Sequence, residues 1–91
     1  MGPETRHSVE ERLAARAPGS ADLDRMAALA EAKRAVAVAE SLAREYQADR
    51  RSQKAVVAEL RRLFPWLDTR DAGGTDLATK LGHFGYYLVI M

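Results

Sequence analysis

The side chains of this chain that could do chemistry are two histidines, a scatter of glutamates and a run of arginines. A general base or nucleophile must be brought within hydrogen-bond reach of a partner. His7 falls in a stretch without periodicity at the N-terminus, and His83 stands beside Gly82 on the expected last helix. Both read as surface or capping histidines. Glu10, Glu11, Glu31, Glu40, Glu45 and Glu59 are spread along helical faces. Glu40 and Arg44 stand at i,i+4 and Glu31 and Arg34 at i,i+3, the spacings of exposed ion pairs. Metal-ligand spacing is missing, since no Glu-x-x-His occurs and the histidines are far apart. There is no cysteine, hence no disulfide, thiolate ligand or thiol nucleophile. Gly73-Gly74 is too short to cradle a phosphate. The expectation is a non-enzymatic protein with no catalytic residue, cofactor or metal.

The arginines suggest a different chemistry. Arg44, Arg50, Arg51, Lys54, Arg61 and Arg62 form a basic segment, diluted by Glu45, Asp49 and Glu59. On one continuous helix, Arg50-Arg51 and Arg61-Arg62 would recur after about three turns and could meet phosphates on one face. Arg50, Arg51, Lys54, Arg61 and Arg62 are therefore the candidate nucleic-acid-binding residues; the competing reading is a solvated arginine face. The whole chain, with fourteen basic and thirteen acidic residues, lacks the basic excess of a general nucleic-acid or membrane binder.

A third feature is the run from Phe84 to Met91, which with Trp66 holds four of the six aromatic side chains of the chain. Aromatic and methionine side chains are enriched at protein interfaces and often anchor them. Trp66, Phe84, Tyr86, Tyr87, Leu88 and Ile90 are the candidate protein-binding residues. The competing reading makes this run the missing bulky half of the core. The two are compatible, because a helix can pack inward on one side and dock outward on another. No basic face flanks the run, which argues against a membrane-surface role.

Leu77-Ala78-Thr79-Lys80-Leu81-Gly82 resembles the first helix and turn glycine of a helix-turn-helix motif. The resemblance ends there. A recognition helix presents polar side chains to base edges, whereas Phe84, Tyr86, Tyr87, Leu88, Val89 and Ile90 follow here. Gly82-His83-Phe84-Gly85 also spells a Gly-x-x-Gly, without the sheet pattern of an RNA-binding KH module.

These residues must be positioned by helices. Ala21 to Phe64 contains neither glycine nor proline. Ala28, Leu29, Ala32, Ala35, Val36, Ala39, Leu42, Ala43 and Tyr46 fall on one helical face, and Val56, Val57, Leu60, Leu63 and Phe64 resume it. Between them, Ala48 to Lys54 is polar. Unbroken, the helix would be about 66 Å long, far beyond a compact domain of this size with its radius of gyration near 13 Å. Compactness favours a break near residues 48–53; the preserved phase of the stripe favours continuity. Ser20 or Asp22 is the expected cap, with Asp22 and Asp24 in the positive first turn.

Upstream, Ser8-Val9-Glu10-Glu11 reads as a capping box opening a short helix that carries Val9, Leu13 and Ala17 and stops at Pro18-Gly19. Downstream, Pro65 disfavours helical geometry at Phe64, and Asp68 to Gly74 is a loop by composition. Thr75 is the expected cap of a last helix whose face is Leu77, Leu81, Phe84, Leu88 and Met91. A strand over Tyr86 to Ile90 is the alternative, and Gly82 and Gly85 suggest a bend.

The fold expected is all-α, a small bundle of about four helices at roughly 8–17, 21–47, 53–64 and 75–90. Residues 1–7 form a frayed end and 8–91 one domain, near the size where a lone core becomes marginal. No signal peptide is visible and no apolar run approaches the ~20 residues that span a bilayer, so a cytoplasmic protein is expected. Seventeen alanines and eleven arginines against three lysines fit a GC-rich, actinobacterial genome. The function expected is protein–protein interaction, self-association included, with the size and bland chemistry of a phage or prophage accessory, defence or regulatory factor. The alternative is a DNA-binding transcriptional regulator using the arginine face.

Overall fold

The computed structural model describes residues 5–18, 24–46, 52–70 and 73–90. Among the described residues four helices carry the fold: α1, Arg6–Ala14; α2, Arg25–Glu45; α3, Gln53–Leu63; and α4, Leu77–Ile90. A 3-10 turn, Pro65–Leu67, follows α3. The expected all-α bundle is the architecture found. The alternative of a strand over Tyr86 to Ile90 is overturned, because those residues complete α4.

The long Gly- and Pro-free stretch makes two helices. Tyr46 caps α2, and the Ser52 hydroxyl, at the start of α3, donates to the Tyr46 carbonyl at 3.2 Å. Six residues of α-helix would carry the chain about 9 Å along its axis, so that contact rules out one continuous helix. The break therefore stands where compactness put it, between Glu45 at the end of α2 and Gln53 at the start of α3. Folding back brings the bulky end of α3 onto α2: the Arg34 guanidinium lies 4.8 Å from the centre of the Phe64 ring, a cation–π distance.

The core divides its labour by side-chain size. On α2 the buried residues are Ala28, Ala32, Ala35, Val36, Ala39 and Ala43. Bulk comes from Val56, Val57 and Leu60 of α3, from Phe64 and Leu67, and from Leu77, Leu81 and Phe84 of α4. The tail thus supplies volume that the alanine-lined spine lacks, and burying those large groups from water is the main stabilising term. Two residues assigned to the stripe depart from it. Tyr46 and Leu63 close their helices and are exposed.

Glycine makes the closest approach. A Cβ at Gly85 would lie 2.8 Å from the Ala39 carbonyl oxygen, and one at Gly82 would lie 2.7 Å from Val57 Cγ2. Both sit inside an uninterrupted α4, so the helix-turn-helix likeness fails: Gly82 is a packing contact, not a turn. The same continuity removes the Gly-x-x-Gly loop.

The caps differ from those expected. α1 opens at Thr5, whose Oγ1 accepts from the Ser8 amide at 3.1 Å while the Ser8 hydroxyl donates to the Thr5 carbonyl. The Ser8–Glu11 box is therefore not the cap, and Arg6 and His7 belong to the helix rather than to a frayed end. Asp24 caps α2 by accepting from the Ala27 amide at 3.0 Å; Ser20 and Asp22 lie outside the described residues. α4 is capped by Asp76, not Thr75: Asp76 Oδ2 accepts from the Thr79 amide at 3.1 Å and from its hydroxyl at 2.7 Å.

Candidate functional site

Helix α4 is amphipathic in the way its sequence allows. Leu77, Ala78, Leu81 and Phe84 are buried in the core, and Leu88 packs against its edge. His83 and Tyr87, four residues apart, are exposed, so they share the outward side. Tyr86, Leu88 and Val89 are half-buried and flank Tyr87. Of the six protein-binding candidates, then, the structure assigns Phe84 to the core. It keeps Tyr87 accessible, with 43% of its surface exposed, and leaves Tyr86 and Leu88 intermediate. The Ile90 side chain lies outside the described residues. Trp66 is on a different element. It is half-buried, packs edge-on to Phe64 with ring centres 6.2 Å apart, and its indole Nε1 is buried without a hydrogen-bond acceptor among the described residues. Trp66 is thus a core flank, and of the aromatic side chains in this set Tyr87 on α4 is the one left exposed.

The arginine candidates are dispersed and partly neutralised. Arg50 and Arg51 lie outside the described residues, and the break between α2 and α3 removes the single helix on which they would share a face with Arg61 and Arg62. Arg62 is ion-paired with Glu59 on the same helix. That hydrogen bond draws the Glu59 carboxyl below its ordinary range, against a smaller desolvation effect, and holds the guanidinium firmly protonated. Arg61 is paired with Asp76. Lys54 is exposed at the start of α3. The helical pairs expected elsewhere form, Arg34 with Glu31 at 2.7 Å and Arg44 with Glu40 at 3.1 Å, and Glu40 also binds Arg6 across to α1.

Sequence reasoning missed one polar cluster. Arg61, Asp68, Thr69, Arg70, Asp76 and Thr79 line a cleft where α3 ends and α4 begins. The loop between the two helices closes on itself: the Leu77 amide donates to the Thr69 carbonyl at 2.9 Å, and Arg70 donates to the Gly74 carbonyl at 2.7 Å. Gly74 has φ of 84°, a conformation that favours glycine. Burial pushes the Asp76 carboxyl upward, but the Thr79 hydroxyl and amide and the Arg61 guanidinium outweigh it, so its pKa falls below the ordinary value. Two arginines opposed by two aspartates cancel much of each other's field. The cluster pins α4 to α3, and the cue to it was the Asp76–Thr79 spacing of a helix cap.

His83 is exposed on α4. Among the described residues no group of three or more His, Asp or Glu side chains could hold a metal ion. Among the described residues no helix is long and apolar enough to cross a membrane. No protein-family model matches the chain, and no match is found among curated proteins or solved structures.

Proposed function

We propose that this protein acts by binding another protein, with the outward side of α4 around Tyr87 as the contact. One observation carries the reading. Tyr87 is a large aromatic left 43% exposed on a helix whose opposite side is core, with half-buried Tyr86, Leu88 and Val89 beside it. A tyrosine of this kind offers broad apolar area and a polar tip at little entropic cost, which is why such residues anchor interfaces. In that role the chain would serve as an accessory factor to its partner.

The DNA-binding alternative loses ground because Arg61 and Arg62 already spend their charge on Asp76 and Glu59. Salt separates the readings. Phosphate contacts would make retention on DNA fall steeply between about 50 and 200 mM salt; an aromatic contact would hold. The direct test is affinity capture from the native host with wild type, Tyr87→Asp and Tyr46→Asp, each checked for helicity by circular dichroism. Tyr46 is similarly exposed at 39% but lies at the end of α2. Loss of a captured protein in Tyr87→Asp alone is the expected result. Equal capture by Tyr87→Asp and wild type would refute the assignment.

A further inference from the structure

We infer that Gly85 is a positioning residue for the contact at Tyr87: seated on Ala39, it sets the turn of α4 about its own axis and so decides which tyrosine the helix presents. This role rests on the reading of Tyr87 as the contact. A Cβ at Gly85 would lie 2.8 Å from the Ala39 carbonyl oxygen, 2.9 Å from its carbon and 3.0 Å from the Ala39 Cβ, so the obstacle is the backbone of another helix. A Cβ at Gly82 would lie 2.7 Å from Val57 Cγ2, the end of a side chain. Gly85 is thus the hard seat, on α2, and Gly82 the yielding one, on α3.

The two seats fit one orientation of α4. Three residues apart, Gly82 and Gly85 lie about 60° from one another around the helix. Three helices packed pairwise at axial distances of about 8–10 Å stand at the corners of a triangle, so two of them subtend about 60° at the third. Helices α2, α3 and α4 pack pairwise in this way, and each glycine meets its own neighbour when α4 is turned as it is found. Tyr87 then lies about 160° around the helix from Gly85 and about 140° from Gly82, away from both neighbours, and it is exposed. Tyr86 lies about 40° from Gly82, on the α3 side, and is half-buried. A methyl added at Gly85 pushes α4 off the Ala39 backbone while Gly82 keeps its seat on Val57. The helix rolls over α3, Tyr86 turns towards α3, and Tyr87 leaves the place it held.

Tyrosine nitration by tetranitromethane, mapped by mass spectrometry, reads this turn with no partner present. Tyr46, exposed at the end of α2, is the reference. In the wild-type chain Tyr87 and Tyr46 should react at similar rates and Tyr86 about threefold more slowly. Equal rates for Tyr86 and Tyr87 would overturn the orientation, and that result needs no variant to fold. In Gly85→Ala, read where circular dichroism shows wild-type helicity, the Tyr87-to-Tyr86 ratio should rise by about threefold more. General loosening would instead speed all three tyrosines and draw the ratio towards one. A ratio that stays or falls would leave Gly85 a packing residue only and overturn its positioning role. Gly82→Ala, where Val57 gives way, should keep the wild-type ratio; a rise equal to that of Gly85→Ala would overturn the assignment to Gly85. Failure of the Tyr87→Asp capture would remove the contact and leave these rates as they are.

Discussion

Gly82 and Gly85 carry opposite helix-scale and packing-scale demands. Each costs about 1 kcal/mol of helix propensity relative to alanine, so replacing either should help if only the helix mattered. At Gly85 the obstacle is the Ala39 backbone, 2.8 Å from the new Cβ, which yields only if two helices separate. Overpacking of that kind costs about 1–3 kcal/mol, enough to cancel the propensity gain and more. At Gly82 the obstacle is one methyl of Val57, stiff but able to yield by a rotamer change. Gly85→Ala should therefore lower the urea midpoint clearly, and Gly82→Ala should lower it less or leave it unchanged. Asp76 supports a second prediction. Losing a capping side chain costs about 1 kcal/mol, so Asp76→Ala should destabilise by about that much at neutral pH. Its folded pKa is depressed, so its charge contributes stability that is complete above the unfolded value of about 3.9 and disappears as pH falls through the folded one. The gap between wild type and Asp76→Asn, measured by urea unfolding, should be present at pH 6 and close as the pH drops below about 4.

Along the elements, spacing told which residues are helical more reliably than which end of a helix faces inward. Leu60 and Leu63 belong to the same sequence stripe, three residues apart, yet Leu60 is fully buried and Leu63 is 41% exposed. The reason is local: Leu63 is the last residue of α3 before Phe64 turns into the 3-10 segment. Leu60→Ala should cost about 2–5 kcal/mol and Leu63→Ala no more than about 0.5 kcal/mol, read from denaturant midpoints. The alanine face of α2 and the bulky face of α4 were legible because a period of three and four survives in both. The cap of α4 was placed one residue early, since Thr75 and Asp76 are both good caps and only the fold chooses between them. The polar cleft stayed hidden because Arg61 meets Asp76 across fifteen residues of sequence, a distance that no periodicity spans. The glycine contacts were hidden for the same reason: a glycine in a helical pattern looks like a flaw until its neighbour is known.

The molecule as a whole is defined by the reversal between α2 and α3. With it, the Cα atoms have a radius of gyration of 12.4 Å and extents of 37 × 31 × 23 Å; without it, one helix alone would reach about 66 Å. The reversal also decides what the charges can do. It sets α3 antiparallel to α2, so that α4 returns beside α3 with Asp76 against Arg61, and a phosphate would have to compete with that carboxylate. Had the helix run on, Arg61 and Arg62 would have projected with Arg50 and Arg51 from a bare rod, and the DNA-binding reading would have gained its surface. Small-angle X-ray scattering on the dilute protein separates the two shapes. The expected curve has a largest dimension far below about 66 Å and one compact peak in its distance distribution. A long skewed tail approaching the rod length would mean that the hairpin opens in solution, and with it the packing of Gly85 on Ala39 and the placement of Tyr87 on an outward face would both be lost.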